Sequence, residues 1–156
     1  MDTREKENEH ITSYFDMKKI PYINQALSYG DYSYMLPAYP EYGINRGLYF
    51  TNLLAIERKA SLEELSGNLG QNRERFENEL RRAGNAKILL MIESGSIPDI
   101  YWHKYNTQLN EKAYIASILA LQHRHDIYIN FVDLGNAGRF IYENCYYQAR
   151  EYLKGQ

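Results

Sequence analysis

The chain has 156 residues, a formal net charge of −2 and 44% hydrophobic residues. That length suits one domain over 1–156, and that apolar share excludes a disordered chain. The near-neutral charge excludes a protein that coats nucleic acid through bulk electrostatics, but not one that grips it through a local patch. No apolar run approaches the ~20 residues of a membrane span, and the charged start from Asp2 to Glu9 is unlike a secretory signal. One cysteine, Cys145, excludes an internal disulfide and a zinc–thiolate cluster, so a cytoplasmic setting is the default expectation. Tyrosine is overused, with 16 copies, and each buried ring needs a partner for its hydroxyl.

The first periodic segment places Ile11, Tyr14, Phe15 and Lys18 on one helical face, closed by Pro21. Tyr22 to Tyr34 reads as extended chain broken at Gly30. Pro37, Pro40, Gly43 and Gly47 make the next stretch a loop or the tip of a long hairpin. Tyr49 to Lys59 reads as a strand. Its alternation sets Leu53, Ala55, Glu57 and Lys59 on one face and Leu54, Ile56 and Arg58 on the other. Both faces are apolar before the charges begin, as in a central strand of an α/β sheet.

Ser61 and Glu64 form a capping box for a short helix that ends near Gly67 or Gly70. A second helix spans 72–83 and stops at Gly84. Ala86 to Ile92 is an apolar strand, and Gly95 and Pro98 mark a loop. Glu111 to Arg124 reads as an amphipathic helix, Ile127 to Val132 as a strand, and 136–153 as a closing helix. Interleaved helices and strands predict a three-layer α/β fold with a central mixed β-sheet.

Glu57-Arg58-Lys59 is an unusual ending for an apolar strand. It reads either as a strand leaving the core and becoming solvated, or as a site. In a site, Glu57 and Lys59 share a face. A carboxylate there binds a divalent ion and the ammonium positions a water, as phosphodiester cleavage requires. Asp31, after the preceding extended segment, supplies a second carboxylate, and two hard oxygen ligands suit Mg2+ or Mn2+.

The wording around that pattern is more specific. The chain opens Asp2-Thr3-Arg4-Glu5, continues to Gly30-Asp31-Tyr32, and reaches Glu57-Arg58-Lys59 with Glu63 four positions on. These blocks, in this order, resemble the nuclease domain of the XPF-like structure-specific endonucleases, a branch of the PD-(D/E)XK superfamily. The resemblance runs through nearly the whole chain and implies a restriction-endonuclease-like fold. It implies that Asp31 and Glu57 hold the metal, that Lys59 is the catalytic lysine, and that Arg58 organises the site from the opposite strand face. Asp2 and Glu5 match the acidic start that lies beside the site in relatives. Glu63 stands where relatives usually carry aspartate, one methylene shorter. Relatives usually continue into a tandem helix-hairpin-helix domain, whereas this sequence ends at Gln156, as small phage or prophage members do.

The resemblance thus implies an Mg2+-dependent endodeoxyribonuclease acting on branched DNA in repair or recombination. The alternatives are an inactive DNA-binding or assembly module that keeps the fold, and a nuclease for RNA or single strands. Arg73, Arg75, Arg81 and Arg82 could meet phosphates, but Glu74, Glu77 and Glu79 make a salt-bridged, solvated helix face an equal reading. His123 and His125 suit a helix end, and His103 gives no ligand pattern. Cys145 lies on an apolar stripe with Ile141, Ala149 and Leu153. That stripe either covers the sheet or, with Tyr146, Tyr147 and Tyr152, forms a homodimer interface. The 135–138 glycines lack the spacing and the lysine of a phosphate loop, so no nucleotide cofactor is expected.

Overall fold

A computed structural model describes residues 1–155. The chain begins with α1 (Glu9–Lys18), stopped by Lys19 in the left-handed conformation at φ 55°. A long irregular path follows, and then a small antiparallel ribbon of β1 (Met35–Leu36) and β2 (Leu48–Tyr49). The central strand is β3 (Leu54–Lys59), followed by α2 (Leu62–Leu69), α3 (Arg73–Arg82) and β4 (Lys87–Ile92). Then come α4 (Ile97–Tyr101), α5 (Glu111–His125), β5 (Ile127–Phe131) and α6 (Ala137–Lys154).

The main sheet has the order β3-β4-β5, all parallel, with Glu57 beside Leu90 and Lys59 beside Ile92. It becomes mixed through one antiparallel bridge, Tyr32 to Ile56. Alternation along the strands divides the core. Ala55, Leu90 and Ile92 pack with residues of α2, α3 and α5. Leu54, Ile56, Leu89 and Met91 pack with Ile11 and Phe15 of α1 and Ile141 of α6. This is the expected three-layer arrangement. Both faces of β3 are covered, so each of its six residues is buried.

Four local expectations are corrected. The strand expected from Tyr49 begins at Leu54, because the chain turns at 50–53 with Leu54 N–H donating to Phe50 O at 3.0 Å. At that turn the Phe50 ring packs between Tyr34 and Tyr152, each at a centroid distance of 4.8 Å. The extended segment 22–34 forms no strand of the main sheet and meets β3 only near its end, through Gly30 to Ser33, with one bridge at Tyr32. The loop expected around Pro98 contains α4, capped by Ser96 with Pro98 in its first turn. The C-terminal stripe divides: Ile141 is buried against the sheet, whereas Leu153, Tyr146 and Tyr147 are about half exposed. Among the described residues, no helix is long and apolar enough to cross a membrane.

Candidate active site

Strand β3 delivers its charged end into the protein, not into solvent. Glu57, Arg58 and Lys59 are all under 10% exposed, so the tripeptide is not a solvated strand end. Glu57 and Lys59 emerge on the α2–α3 side into a polar cleft of about 210 Å³, shared with Asp31, Glu64, Arg75 and Glu79.

Asp31 reaches this cleft because the chain before it presses against β3. Gly30 has φ 68°, and a Cβ there would lie 2.9 Å from the Ala55 Cβ. Only glycine accepts both that conformation and that approach. Asp31 N–H then donates to Ile56 O at 2.8 Å. Its side chain Oδ2 accepts the backbone N–H of Arg58 at 2.8 Å. Asp31 is therefore tied to the residue between Glu57 and Lys59.

Burial dominates the electrostatics. It pushes the Asp31 carboxyl up to about 6, a rise that the Arg58 N–H opposes and the Glu5 charge reinforces. It pushes Glu57 up to about 7, with Lys59 opposing and Asp31 and Glu79 adding to the rise. Lys59 Nζ donates to Glu57 Oε1 at 2.7 Å and lies 3.5 Å from Glu64 Oε1. Burial would pull Lys59 down, but Glu57, Glu64 and Asp31 together outweigh it and raise its pKa. Lys59 is thus held as a cation, 5.1 Å from the centroid of the Phe76 ring.

Two carboxylates that resist ionisation in one polar cleft gain from a bound cation. The second oxygen of each takes no hydrogen bond from the described residues. Among those residues, no group of three or more His, Cys, Asp or Glu is placed to hold a metal ion. What the cleft offers is two carboxylates, each with a free oxygen, the donor type that hard divalent ions take with water completing the shell.

Arg58 points to the other side of the sheet. Its Nη1 donates to Glu5 Oε1 at 2.8 Å and its Nη2 to Glu93 Oε2 at 2.7 Å, while His10 Nε2 lies 2.7 Å from Glu93 Oε1. Neither Glu93 nor His10 is among the site residues that the sequence suggests. A lone carboxylate ending an apolar strand signals Glu93; nothing in the sequence signals His10.

Asp2 is 1% exposed and acts as a brace. Its carboxylate accepts from Arg4 N–H and Arg4 Nε at 2.7 and 2.8 Å and from Leu27 N–H at 2.6 Å. Burial would raise its pKa, but these bonds hold it at about 2. Its own N–H donates to Asp31 O at 2.7 Å, so Asp2 fixes the backbone beneath Asp31. Glu5 both lines the cleft and pairs with Arg58. Glu63 turns out of the cleft and accepts the Asn106 N–H at 2.9 Å. Glu64 sits in the cleft instead.

The four arginines separate. Arg73 pairs with Glu77 at 2.9 Å, Arg81 donates to Glu77 O, and Arg82 donates to Ser28 O. Arg75 alone of the four lines the cleft, and it has no side-chain partner among the described residues.

Residues 1–137 match the family model described as the ERCC4 domain. Among solved structures, the chain is similar to XPF from Aeropyrum pernix, with a TM-score of 0.66 at 19% identity. The match covers 96% of this chain and 63% of that one. The same protein in complex with DNA matches at 0.65 and 18%, over 96% of this chain and 64% of that one. The chain thus spans under two thirds of the length of these structures. No curated protein matches it. With the family model covering most of the sequence and the XPF fold reproduced from α1 to α6, the chain belongs to the ERCC4 domain family.

Proposed function

We propose that this ERCC4 domain is a divalent-metal-dependent DNA endonuclease that hydrolyses phosphodiester bonds in branched or otherwise structured DNA. The observation that carries the reading is the cleft shared by Asp31, Glu57 and Lys59, in which two buried carboxylates face a single ammonium. Asp31 and Glu57 would hold Mg2+ or Mn2+. When bound, the ion supplies Lewis acidity and neutralises charge at the phosphate. Lys59, kept protonated by its neighbours, serves as a fixed cation and water-orienting donor, not as a general base. Arg75 meets a backbone phosphate at the cleft edge. Asp2, Glu5 and Arg58 hold the carboxylates in place from behind.

DNA as partner is supported by the DNA complex of the A. pernix XPF. A homodimer would use the exposed Tyr146 and Tyr147 of α6, where aromatic rings suit an interface. The catalytically inactive module is disfavoured, because Asp31, Glu57 and Lys59 are all present and share one cleft. The test is cleavage of labelled duplex, flap, fork, four-way junction and single-stranded substrates with Mg2+ or Mn2+. Activity should be greatest on a structured substrate. Absence of cleavage on every substrate would return the inactive module.

A further inference from the structure

The single tryptophan of the chain, Trp102, is 75% exposed, and Tyr101 before it is 61% exposed. These are not the tip of a slack loop. Ile100 on one side is fully buried and Tyr105 on the other is 6% exposed, so the pair is held between two core anchors. Trp102 N–H donates to Pro98 O at 3.0 Å and Lys104 N–H to Asp99 O at 2.8 Å. His103 takes the left-handed conformation at φ 50°. Its ring packs on Tyr105 at 4.3 Å and reaches Glu111 Oε1 and Thr107 O at 2.9 and 3.2 Å. A non-glycine residue in this conformation is uncommon and marks a fixed turn of the chain.

The position is as informative as the exposure. Strands β3 and β4 are parallel, so the α4 segment that follows β4 leaves from the same end of the sheet as Glu57 and Lys59. Two bonds pin the segment after Trp102 to α2, the helix that follows the catalytic tripeptide: Asn106 N–H to Glu63, and Thr107 Oγ1 to Ser66 Oγ at 2.8 Å. The carboxylates nearby are each engaged: Asp99 by Lys104 at 3.2 Å, Glu111 by His103, and Glu63 by Asn106 N–H.

We propose that Trp102, flanked by Tyr101, is a stacking platform for an unpaired base of the DNA substrate. This rests on the nuclease reading and deepens it. A rigid, exposed indole offers a flat face at little entropic cost, and every base has a matching face, so such stacking favours single-stranded character without reading sequence. On this view the preference for a branch resides in the loop after β4, while the cleft supplies the chemistry.

Because the chain has one tryptophan, its emission reports this contact directly. The probes are a blunt duplex and a fork of the same sequence with unpaired arms, each fluorescein-labelled, in EDTA so that no cleavage occurs. Anisotropy reads binding and indole emission reads stacking. The fork should quench the emission and the duplex should leave it nearly unchanged. Trp102→Ala should weaken fork binding about tenfold or more, by the stacking energy of one base. It should leave duplex binding and the thermal melt unchanged, and Trp102→Phe should restore most of the fork affinity. Fork binding with silent indole emission, or a Trp102→Ala protein that binds the fork like wild type, overturns the platform and leaves the nuclease reading standing. A concentration-dependent blue shift without DNA, matched by faster sedimentation and lost in Trp102→Ala, would assign the face to a second copy and also overturn it. Failure to bind either DNA removes both readings together.

Discussion

Replacing Asp31 with asparagine separates the ionisation of the site from its shape. Asparagine keeps the size and the side-chain oxygen that accepts Arg58 N–H at 2.8 Å, so the bond across to β3 survives. Only the charge is lost. The Asp31 carboxyl rises from 3.8 in the unfolded chain to about 6 in the folded protein, chiefly through burial. A raised acid favours the folded state fully below its unfolded pKa, and that advantage is lost as pH climbs through the folded value. Two units correspond to about 3 kcal/mol; partial solvation at the cleft reduces this to about 2 kcal/mol. In EDTA at pH 8, Asp31→Asn should therefore be more stable than wild type by about 2 kcal/mol, or about 4–8 °C in Tm for a chain of this size. Between pH 6 and pH 4 the difference should close. Saturating Mg2+ should narrow it from the other side, because at ten times Kd the ion returns about 1.4 kcal/mol to wild type alone. Circular dichroism melts at pH 4, 6 and 8, with and without Mg2+, suffice. A variant less stable than wild type at pH 8, or a gap independent of pH, would refute burial of a charged carboxylate as the dominant force at this position.

Glu57→Gln and Lys59→Ala should each reduce single-turnover cleavage of a structured duplex by roughly 10²-fold or more. Glu57→Gln should also abolish calorimetric Mg2+ binding, while Lys59→Ala should retain it; wild-type rates in both would remove the cleft from the chemistry. Arg75→Ala should weaken all DNA about equally and reduce the salt dependence of binding by about one phosphate contact, with no change in melting. Glu93→Gln should destabilise by about 2 kcal/mol, since it breaks a buried pair and leaves the Arg58 guanidinium with Glu5 as its one remaining counter-charge; a melt within 2 °C of wild type would contradict this (about 1 kcal/mol or less). Sedimentation should give twice the 18.4 kDa chain mass, reverting to monomer in Tyr146→Glu with Tyr147→Glu; a wild-type monomer at micromolar concentration would reject the dimer.

The layers of this fold were readable because burial imposes a period. The alternation of Leu54 through Arg58 separates the two faces of β3, and the Ser61 and Glu64 cap marks the start of α2. Where tertiary contacts overrode local pattern, reading failed. Phe50 belongs to the alternating run, but its ring is claimed by Tyr34 and Tyr152, and the strand starts late. At the site, the resemblance pointed to Asp31, Glu57 and Lys59, and the coordinates place all three in one cleft. It could not reveal that Asp2 is a brace, that Glu64 and not Glu63 faces Lys59, or that His10 joins Glu93 across 83 positions. Such pairings depend on where separate elements cross, and no spacing within one element encodes that.

The ion pair between Lys59 and Glu57 has a consequence for the order of assembly. Many small metal domains are unfolded until their ion arrives, because their ligands repel one another without it. Here the chain carries a built-in counter-ion, with Lys59 Nζ 2.7 Å from Glu57 Oε1. That pair lets the site form from the chain's own charges, so folding would not have to wait for a metal. On the proposed function, an ion held by Asp31 and Glu57 would have to share or displace that ammonium, and the competition would weaken its hold. The resting protein would then be a completed scaffold, and the free divalent-ion level, not folding, would decide when it can act.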